Sequence, residues 1–293
     1  MAQRRRRQQG TATAETLLLH EPQIRLTAFL GVLVLMALWE LAAPKRRQEI
    51  PRLLRWSNNV ALVAVDTTVV RLAFPILAVG LALIAEERGF GLQHWLDVPP
   101  WLAFLLAFLA LDLVIYLQHR AFHAVPVLWR LHRMHHADLE LDASTGLRFH
   151  PVEIVLSMLL KLAVVAALGA PAAAVLVFEI VLNATSLFNH GNVRLPERVD
   201  RILRLVVVTP DMHRVHHSAL RRETDSNFGF NLPWWDRLFA TYRPQPEAGH
   251  QAMTIGLEYF RSRRDLWLDA MLLQPLRRVR PTAGSATEPR DRA

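Results

Sequence analysis

Histidines carry the clearest chemical signal in this sequence, because ten of the thirteen lie between residues 119 and 217. Eight of these ten form the motifs HRAFH, HRMHH and HRVHH. Helical residues three or four positions apart share a face, so each motif presents two or three imidazoles together. Three such segments can converge on more than one metal ion, and imidazole suits iron, copper, nickel and zinc. The predicted ligands are His119, His123, His132, His135, His136, His213, His216 and His217.

Other kinds of site are excluded by the residues that are missing. The sequence has no cysteine, so disulfides, thiolate catalysis and zinc–thiolate sites are ruled out. Carboxylates do not cluster, which argues against a calcium or magnesium site. HRAFH also lacks the glutamate that serves as general base in the zinc protease motif HExxH. A single HxxxH is a weak signal, but two HxxHH motifs and an HxxxH in order favour a metal centre.

Long apolar segments must position these histidines. Of the 293 residues, 52% are hydrophobic and 20% are charged, which is typical of a membrane protein. Gly169, Ala170 and Pro171 separate the last two apolar runs and predict a tight hairpin between them. We therefore expect an all-α integral membrane protein with four to five transmembrane or half-membrane helices and a histidine-rich helical metal domain on the cytoplasmic side. The runs cover residues 24–43, 60–85, 101–117, 152–168 and 172–188.

The basic residues of the loops predict the orientation. The 44–59 loop contains five Lys and Arg residues, whereas the 86–100 loop contains one. The positive-inside rule then places 119–150 and everything after 190 in the cytoplasm. The arginine block at 4–7 would lie outside if 24–43 spans the membrane, so that first run could instead lie on the membrane surface. The net charge of +8 fits an anionic membrane leaflet, and we expect no nucleic acid partner.

The chain divides into four regions by composition. Residues 1–23 are predicted to form a disordered basic tail, and 24–118 the membrane helices. Residues 119–243 form the histidine-box catalytic region, which includes the helical hairpin 152–188. Residues 244–293 are predicted to be an interfacial arm and tail, with an interfacial amphipathic helix or packing arm over 254–280.

The ordered motifs between about 100 and 243 resemble the fatty acid hydroxylase/sterol desaturase superfamily. Besides the three histidine boxes, the resemblance rests on Asp112 and Tyr116 before the first box, RFHPVE at 148–153, NHGN at 189–192 and TPDMHRVHHS at 209–218. It also includes NFG at 227–229 and WDRLF at 235–239. It covers about half of the chain.

This resemblance implies a bacterial membrane enzyme with two iron ions, held mainly by histidine, that uses O2 to oxidise a lipid C–H bond. By carry-over, the eight box histidines are ligands and His190 is a ninth, with no catalytic residue separate from them. Family members often have a further histidine where this sequence has Ser186, so one ligand could be a water or be missing. Residues that could be ligands or support the ligands are His150, Asp112, Glu153, Asn189 and Asp211; Asp225 could also support them.

The sequence thus predicts a lipid hydroxylase or desaturase of the bacterial inner membrane. Electrons must come from outside, because the chain has no dinucleotide-binding fingerprint; a ferredoxin, a cytochrome b5-like protein or a pterin could supply them. The basic face suits an acidic electron carrier. The alternative is a membrane metal transporter or a metal-binding protein without oxygenase activity. Transporter sites lie near the middle of the bilayer, whereas these histidines lie at the ends of the apolar runs.

Overall fold

The computed structural model describes residues 2–279, with side chains described from residue 19 onward. This part of the chain is helical, with isolated β-bridges and no strand. Its α-helices are α1 (Ala2–Ala42), α2 (Arg52–Ala73), α3 (Ala78–Arg88), α4 (Leu92–Trp95), α5 (Pro100–Ala124), α6 (Pro126–His136), α7 (Pro151–Leu168), α8 (Ala172–Asn189), α9 (Glu197–Leu203), α10 (Pro210–His216), α11 (Arg221–Thr224), α12 (Trp234–Leu238), α13 (Gly249–Ala252) and α14 (Leu268–Leu273). Three short 3₁₀ helices are η1 (Ala143–Leu147), η2 (Arg263–Leu266) and η3 (Gln274–Leu276).

Five segments are long and apolar enough to cross a membrane: Leu19–Ala42, Arg52–Trp95, Pro100–Ala124, Pro151–Leu168 and Ala172–Asn189. Large apolar side chains cover their outer faces; Leu38 is 61% exposed, Leu72 83% and Trp101 70%. Such faces are stable against lipid and unfavourable against water. The predicted class, an all-α integral membrane protein with a histidine-rich region, is confirmed.

The predicted hairpin is formed by α7 and α8. Gly169 ends α7 in the left-handed conformation, with φ +64°, and a Cβ there would lie 2.4 Å from the carbonyl oxygen of Phe90. Pro171 then precedes α8, where its fixed φ favours the start of a helix. The turn therefore returns the chain to the side from which α7 began, which brings His190 back to the histidine motifs.

The first helix differs from the prediction for residues 1–23. Its backbone is helical from Ala2 onward, where the sequence predicts a disordered tail. Alanine, glutamine and arginine dominate that segment, and all three have high helix propensity. Further along α1, Arg25 pairs with Glu179 of α8, which also pairs with Lys161 of α7.

The apolar core lies between α3, α5, α7 and α8. Small residues such as Ala78, Ala82, Ala107 and Ala174 are fully buried there, so the helices approach closely. Larger side chains, including Phe178, fill the remaining space. This cluster continues to Phe149 and Phe230, which lie beside the histidines.

The region after residue 253 is a packing arm and not one amphipathic helix. Between residues 254 and 279 its helical elements are η2, α14 and η3, and Pro275, which has no backbone NH, lies just after the end of α14. The carbonyl oxygen of Gln274 accepts a hydrogen bond from Arg133, and that of Leu272 lies 3.2 Å from Nε2 of His150. The predicted tail from residue 280 lies outside the described residues.

Candidate metal centre

Nine histidines form two adjacent buried groups. Within each group, one nitrogen from each ring lies within 4.8 Å of every other. No histidine of either group is more than 4% exposed. Group A consists of His119, His123, His132, His136 and His216, and group B of His135, His190, His213 and His217. The structure thus brings together all eight box histidines and His190.

Helical geometry divides each HxxHH motif between the two groups. In α6, His132 and His136 point to group A, whereas His135 points to group B. In HRVHH, His213 and His217 belong to group B and His216 to group A. One residue turns an α-helix by about 100°, so consecutive histidines diverge while those four apart stay aligned. A single motif therefore serves both groups.

The other two contributing elements are α5 and the hairpin. His119 and His123 lie one turn apart near the end of α5. His190 follows the last turn of α8, and its Nε2 lies 3.1 Å from Nε2 of both His135 and His213. Group B therefore includes a histidine, His190, that the hairpin of α7 and α8 delivers, whereas group A includes none.

Fixed acceptors orient the imidazole rings. The carbonyl oxygens of Phe228, Ser226 and Ser186 each lie 2.7 Å from the Nδ1 of His119, His216 and His190, respectively. The carbonyl of Arg148 lies 3.2 Å from His135 Nδ1. In group A, the Glu153 carboxylate also lies 2.7 Å from His132 Nδ1, and Asp225 lies 3.3 Å from His123 Nδ1. Carbonyls and carboxylates only accept, so each of these Nδ1 atoms carries its proton.

The Nε2 atoms consequently present lone pairs to one another. His119 Nε2 lies 3.0 Å from His216 Nε2 and 3.1 Å from His132 Nε2. Two lone pairs at this distance repel each other, whereas a metal ion between them is attracted to both. His217 has no hydrogen-bond partner at either ring nitrogen within the described chain. Both observations fit a metal ion in each group.

Burial keeps these rings neutral, as metal ligands must be. It lowers the pKa of His135, His136, His213, His216 and His217 well below the usual value, and the neighbouring imidazoles lower it further. It lowers the pKa of His190 to about 4. The donors of both groups are thus neutral nitrogens, which favours iron, copper, nickel or zinc.

The other candidate site residues lie outside the two groups. Glu153 and Asp225 contact imidazoles of group A, as described above. His150 caps α7, accepting a hydrogen bond from the backbone NH of Val152. Asp112 accepts from Trp235, Asn189 donates to the Phe230 carbonyl, and Asp211 pairs with Lys45 and Arg214. Ser186 supplies the backbone carbonyl that holds His190.

A buried charged cluster beside the centre was not foreseen from the sequence. We call Glu40, Arg55, Asp138 and Asp142 the ionic layer. Arg55 is fully buried and makes two 2.8 Å hydrogen bonds to Asp138, and it also pairs with Asp142. Glu40 accepts from the backbone NH groups of Ala143 and Asn192, at 2.7 and 3.0 Å. The layer therefore ties α1 and α2 to the loops that follow His136 and His190.

Arginines pair the three carboxylates of this layer, since Arg55 pairs Asp138 and Asp142 and Arg52 pairs Glu40. Burial alone would raise the pKa of Asp138, but the Arg55 guanidinium outweighs that effect and lowers it to about 2. Asp142 also caps η1, accepting from the backbone NH of Ser144 at 3.0 Å. An arginine in the first turn of an apolar segment, together with acidic residues just after a histidine box, was the available sequence signal.

Residues 104–241 match the family model described as Fatty acid hydroxylase. Ornithine lipid hydroxylase OlsE from Rhizobium tropici is 28% identical over 224 residues, which are 74% of this chain and 66% of that protein. Alkylglycerol monooxygenase from Homo sapiens is 28% identical over 165 residues, 55% of this chain and 34% of its own length. The Danio rerio alkylglycerol monooxygenase is 29% identical over 186 residues, 62% and 39% of the two chains.

The chain therefore spans just under two thirds of the ornithine lipid hydroxylase and little more than a third of the alkylglycerol monooxygenases. No solved structure matches it. The predicted resemblance to this superfamily is confirmed.

Proposed function

Because residues 104–241 form a fatty acid hydroxylase domain, we propose that this chain is a membrane-bound non-haem di-iron oxygenase that hydroxylates a lipid C–H bond. One observation carries the proposal. Nine buried histidines form two groups, and three of them, His119, His123 and His190, lie at the ends of membrane-length apolar helices. A metal centre at the end of membrane helices can act on a substrate that partitions into lipid.

In this proposal, the histidines of group A bind one iron and those of group B bind the other. The facing Nε2 atoms support that assignment, and no catalytic residue separate from the ligands is needed. Bound iron would supply the O2 chemistry, in which two external electrons and two protons leave one oxygen atom in an alcohol and the other in water. Imidazole donors suit iron, although they do not select it over copper or zinc.

The chain's own residues position the ligands and exclude water. Backbone carbonyls of Ser186, Ser226 and Phe228 hold the Nδ1 protons, so each Nε2 stays available as a donor. The Glu153 carboxylate does the same for His132 and makes that imidazole a stronger donor. Complete burial of the rings keeps solvent away, which protects reactive oxygen chemistry from side reactions.

The substrate class follows from the membrane setting and from the relatives. Their names assign ornithine lipids and alkylglycerols to those proteins. Both are amphiphiles with a long apolar chain, so we take them as the first substrates to test here. Hydroxylation is favoured over desaturation because the relatives are hydroxylases and monooxygenases.

The proposed setting is the bacterial inner membrane, with the histidine groups on the cytoplasmic side. The arginine- and lysine-rich loop before α2 supports that orientation. Electrons would come from a separate ferredoxin, a cytochrome b5-like protein or a pterin.

Metal content per chain tests the centre directly. The full chain would be purified in detergent from iron-supplemented cells, beside His216→Ala for group A and His135→Ala for group B. His20→Ala is the matched control, because His20 is exposed and belongs to neither group. We expect two irons in the wild type and the control, and the loss of one iron in each group variant.

Activity is measured on the same preparations. Ornithine lipid and alkylglycerol are supplied with a chemical reductant and O2, and products that gain one oxygen atom are detected by mass spectrometry. Hydroxylated lipid from the wild type, absent from both group variants, supports the oxygenase. Well-folded protein without metal contradicts the proposal, and metal transport into vesicles without lipid oxidation favours the transporter instead.

A further inference from the structure

Two phenylalanines each contact both histidine groups. The Phe149 ring stacks on His135 of group B, with centroids 4.6 Å apart and planes at 12°, and it lies 6.3 Å from His132 of group A. The Phe230 ring lies 5.0 Å from His119 of group A and 5.9 Å from His213 of group B. Their centroids are 6.3 Å apart, so together they form one aromatic wall along both groups.

Phe149 is also the accessible member of the aromatic shell. The other rings in contact with the group histidines, those of Phe122, Trp129, Phe228 and Phe230, are at most 8% exposed, whereas Phe149 is half-buried. The histidines themselves are at most 4% exposed. Phe149 is therefore the most exposed of the aromatic side chains that contact the histidines in the described chain.

The surroundings of that wall are apolar. Phe149 and Phe230 pack against the core of α3, α5, α7 and α8, which are parts of the membrane-length segments. Elsewhere, polar groups adjoin the imidazoles, including the Ser226 carbonyl, the Glu153 carboxylate and Asp225. A hydrocarbon chain is thus compatible with the aromatic side and unfavourable on the others.

We propose that Phe149 and Phe230 contact the lipid chain beside the two histidine groups and determine which of its carbons is oxidised. This inference rests on the proposed function and deepens it, because it assigns the residues that set specificity. Successive chain carbons lie little more than an ångström apart, and a misplacement of about 1 Å can cost about a hundredfold in rate. Two rings that span both groups can fix the chain at that precision.

Replacing each ring tests the assignment. Phe149→Ala and Phe230→Ala are prepared as iron-loaded full chains and compared with Phe178→Ala. Phe178 is a fully buried ring of the same apolar core that contacts Phe108 and no group histidine. The probe is the membrane lipid of the expressing cells together with added ornithine lipid, and fragmentation spectra locate the new hydroxyl group.

We expect both wall variants to keep their iron and to spread the hydroxyl over neighbouring carbons, with the preference for the wild-type position reduced about tenfold. Phe178→Ala should lose thermal stability and keep the wild-type position. An unchanged position in both wall variants overturns the inference while the proposed function stands. A wild type that makes no hydroxylated product contradicts the proposed function. In that case photo-crosslinking, which needs no turnover, still tests whether Phe149 contacts lipid.

Photo-crosslinking tests lipid contact without any turnover. The full chain is placed in nanodiscs that contain a phosphatidylcholine with a diazirine in its acyl chain, and labelled peptides are mapped after irradiation. Leu159 is 51% exposed on α7 and serves as the positive control for contact with lipid. We expect labelling at Phe149 as well as at Leu159, and none at Phe178. Labelling at Leu159 without any at Phe149 would overturn the inference.

Discussion

Two buried polar regions lie only two residues apart along the chain, yet they are stabilised in opposite ways. The ionic layer buries an arginine among carboxylates, and Arg55 hydrogen-bonds Asp138 twice at 2.8 Å. The histidine groups include His136, two residues before Asp138. They bury neutral rings whose Nε2 atoms face one another at 3.0–3.2 Å. In the ionic layer arginines pair the buried carboxylates, whereas the histidine groups present only donor nitrogens that face one another.

The difference shows which region is built to bind a ligand. A buried charge must be paired or it is strongly destabilising, and in the ionic layer Arg55 pairs Asp138 and Asp142 while Arg52 pairs Glu40. The neutral histidines carry no such charge, and their facing Nε2 lone pairs gain a partner only when a cation joins them. The ionic layer therefore acts as a scaffold that holds the loops of the metal centre, and the predictions below test that division.

The largest loss of folding stability is expected from Arg55→Ala. Removing the guanidinium leaves Asp138 and Asp142 buried without their counter-charge, which costs about 3–5 kcal/mol in the free energy of unfolding. Thermal unfolding in detergent measures the loss. Arg264→Ala is the control, because the Arg264–Asp269 pair is 58% and 61% exposed and solvent screens its attraction. Similar losses in both variants would contradict the scaffold role.

The two regions should also respond to acid at different pH. The folded pKa of His190 is lowered from 6.5 to about 4 by burial, so its contribution is complete above pH 6.5 and is lost as the pH falls through about 4. That shift corresponds to about 3 kcal/mol from this residue alone. The pKa of Asp138 is lowered from 3.8 to about 2, so its contribution is complete above pH 3.8 and is lost only towards pH 2.

The measurement is the stability of chelator-treated protein between pH 7.5 and 3. We expect stability to fall between pH 6.5 and 4, and iron-loaded protein to release its metal in the same range because protons compete for the imidazoles. Stability that stays constant down to pH 4 would show that the histidines do not control acid unfolding.

A smaller effect is expected from Glu153→Ala, which removes the carboxylate behind His132. Loss of such a partner typically lowers metal affinity or activity by about 10–100-fold, and we expect that loss at group A. Asp112→Asn is the matched control, since Asp112 is a buried carboxylate that bonds Trp235 and the backbone of Leu232. Competition with a chelator followed by iron analysis measures both variants. Equal iron retention would show that Glu153 does not support a ligand.

The sequence predicted much of the fold because the apolar runs and the turn at Gly169–Pro171 are local signals. The spacing within each box is a property of one helix and pointed to the eight box histidines, whereas His190 was predicted only from the family resemblance. Which histidines of the other helices complete each group could not be predicted, since that depends on where α5, α8 and α10 lie around α6. Arg55, Glu40 and Phe149 were missed for the same reason: their partners lie far away in the sequence, and neither an arginine nor a phenylalanine alone indicates a role.

The smallest loss of stability is expected at the contact between Ser186 and Gly146, where the histidine groups adjoin the ionic layer. The Ser186 hydroxyl donates to the carbonyl oxygen of Gly146, in the 3₁₀ helix that follows Asp142, at 2.9 Å. Ser186→Ala removes only this hydrogen bond, which contributes about 0.5–1.5 kcal/mol, and leaves the backbone carbonyl that holds His190 in place. We therefore expect slightly lower thermal stability with full iron content.

Gly146→Ala is the matching variant at the same contact, because its Cβ would lie 2.5 Å from the Ser186 carbonyl oxygen. Relief of that overlap must displace either η1 or the carbonyl, and overpacking of this kind costs about 1–3 kcal/mol. If the carbonyl sets the orientation of His190, Gly146→Ala loses iron from group B while Ser186→Ala keeps it. Equal iron content in the two variants would mean that the scaffold and group B are not coupled through Ser186, and that the hairpin alone positions His190.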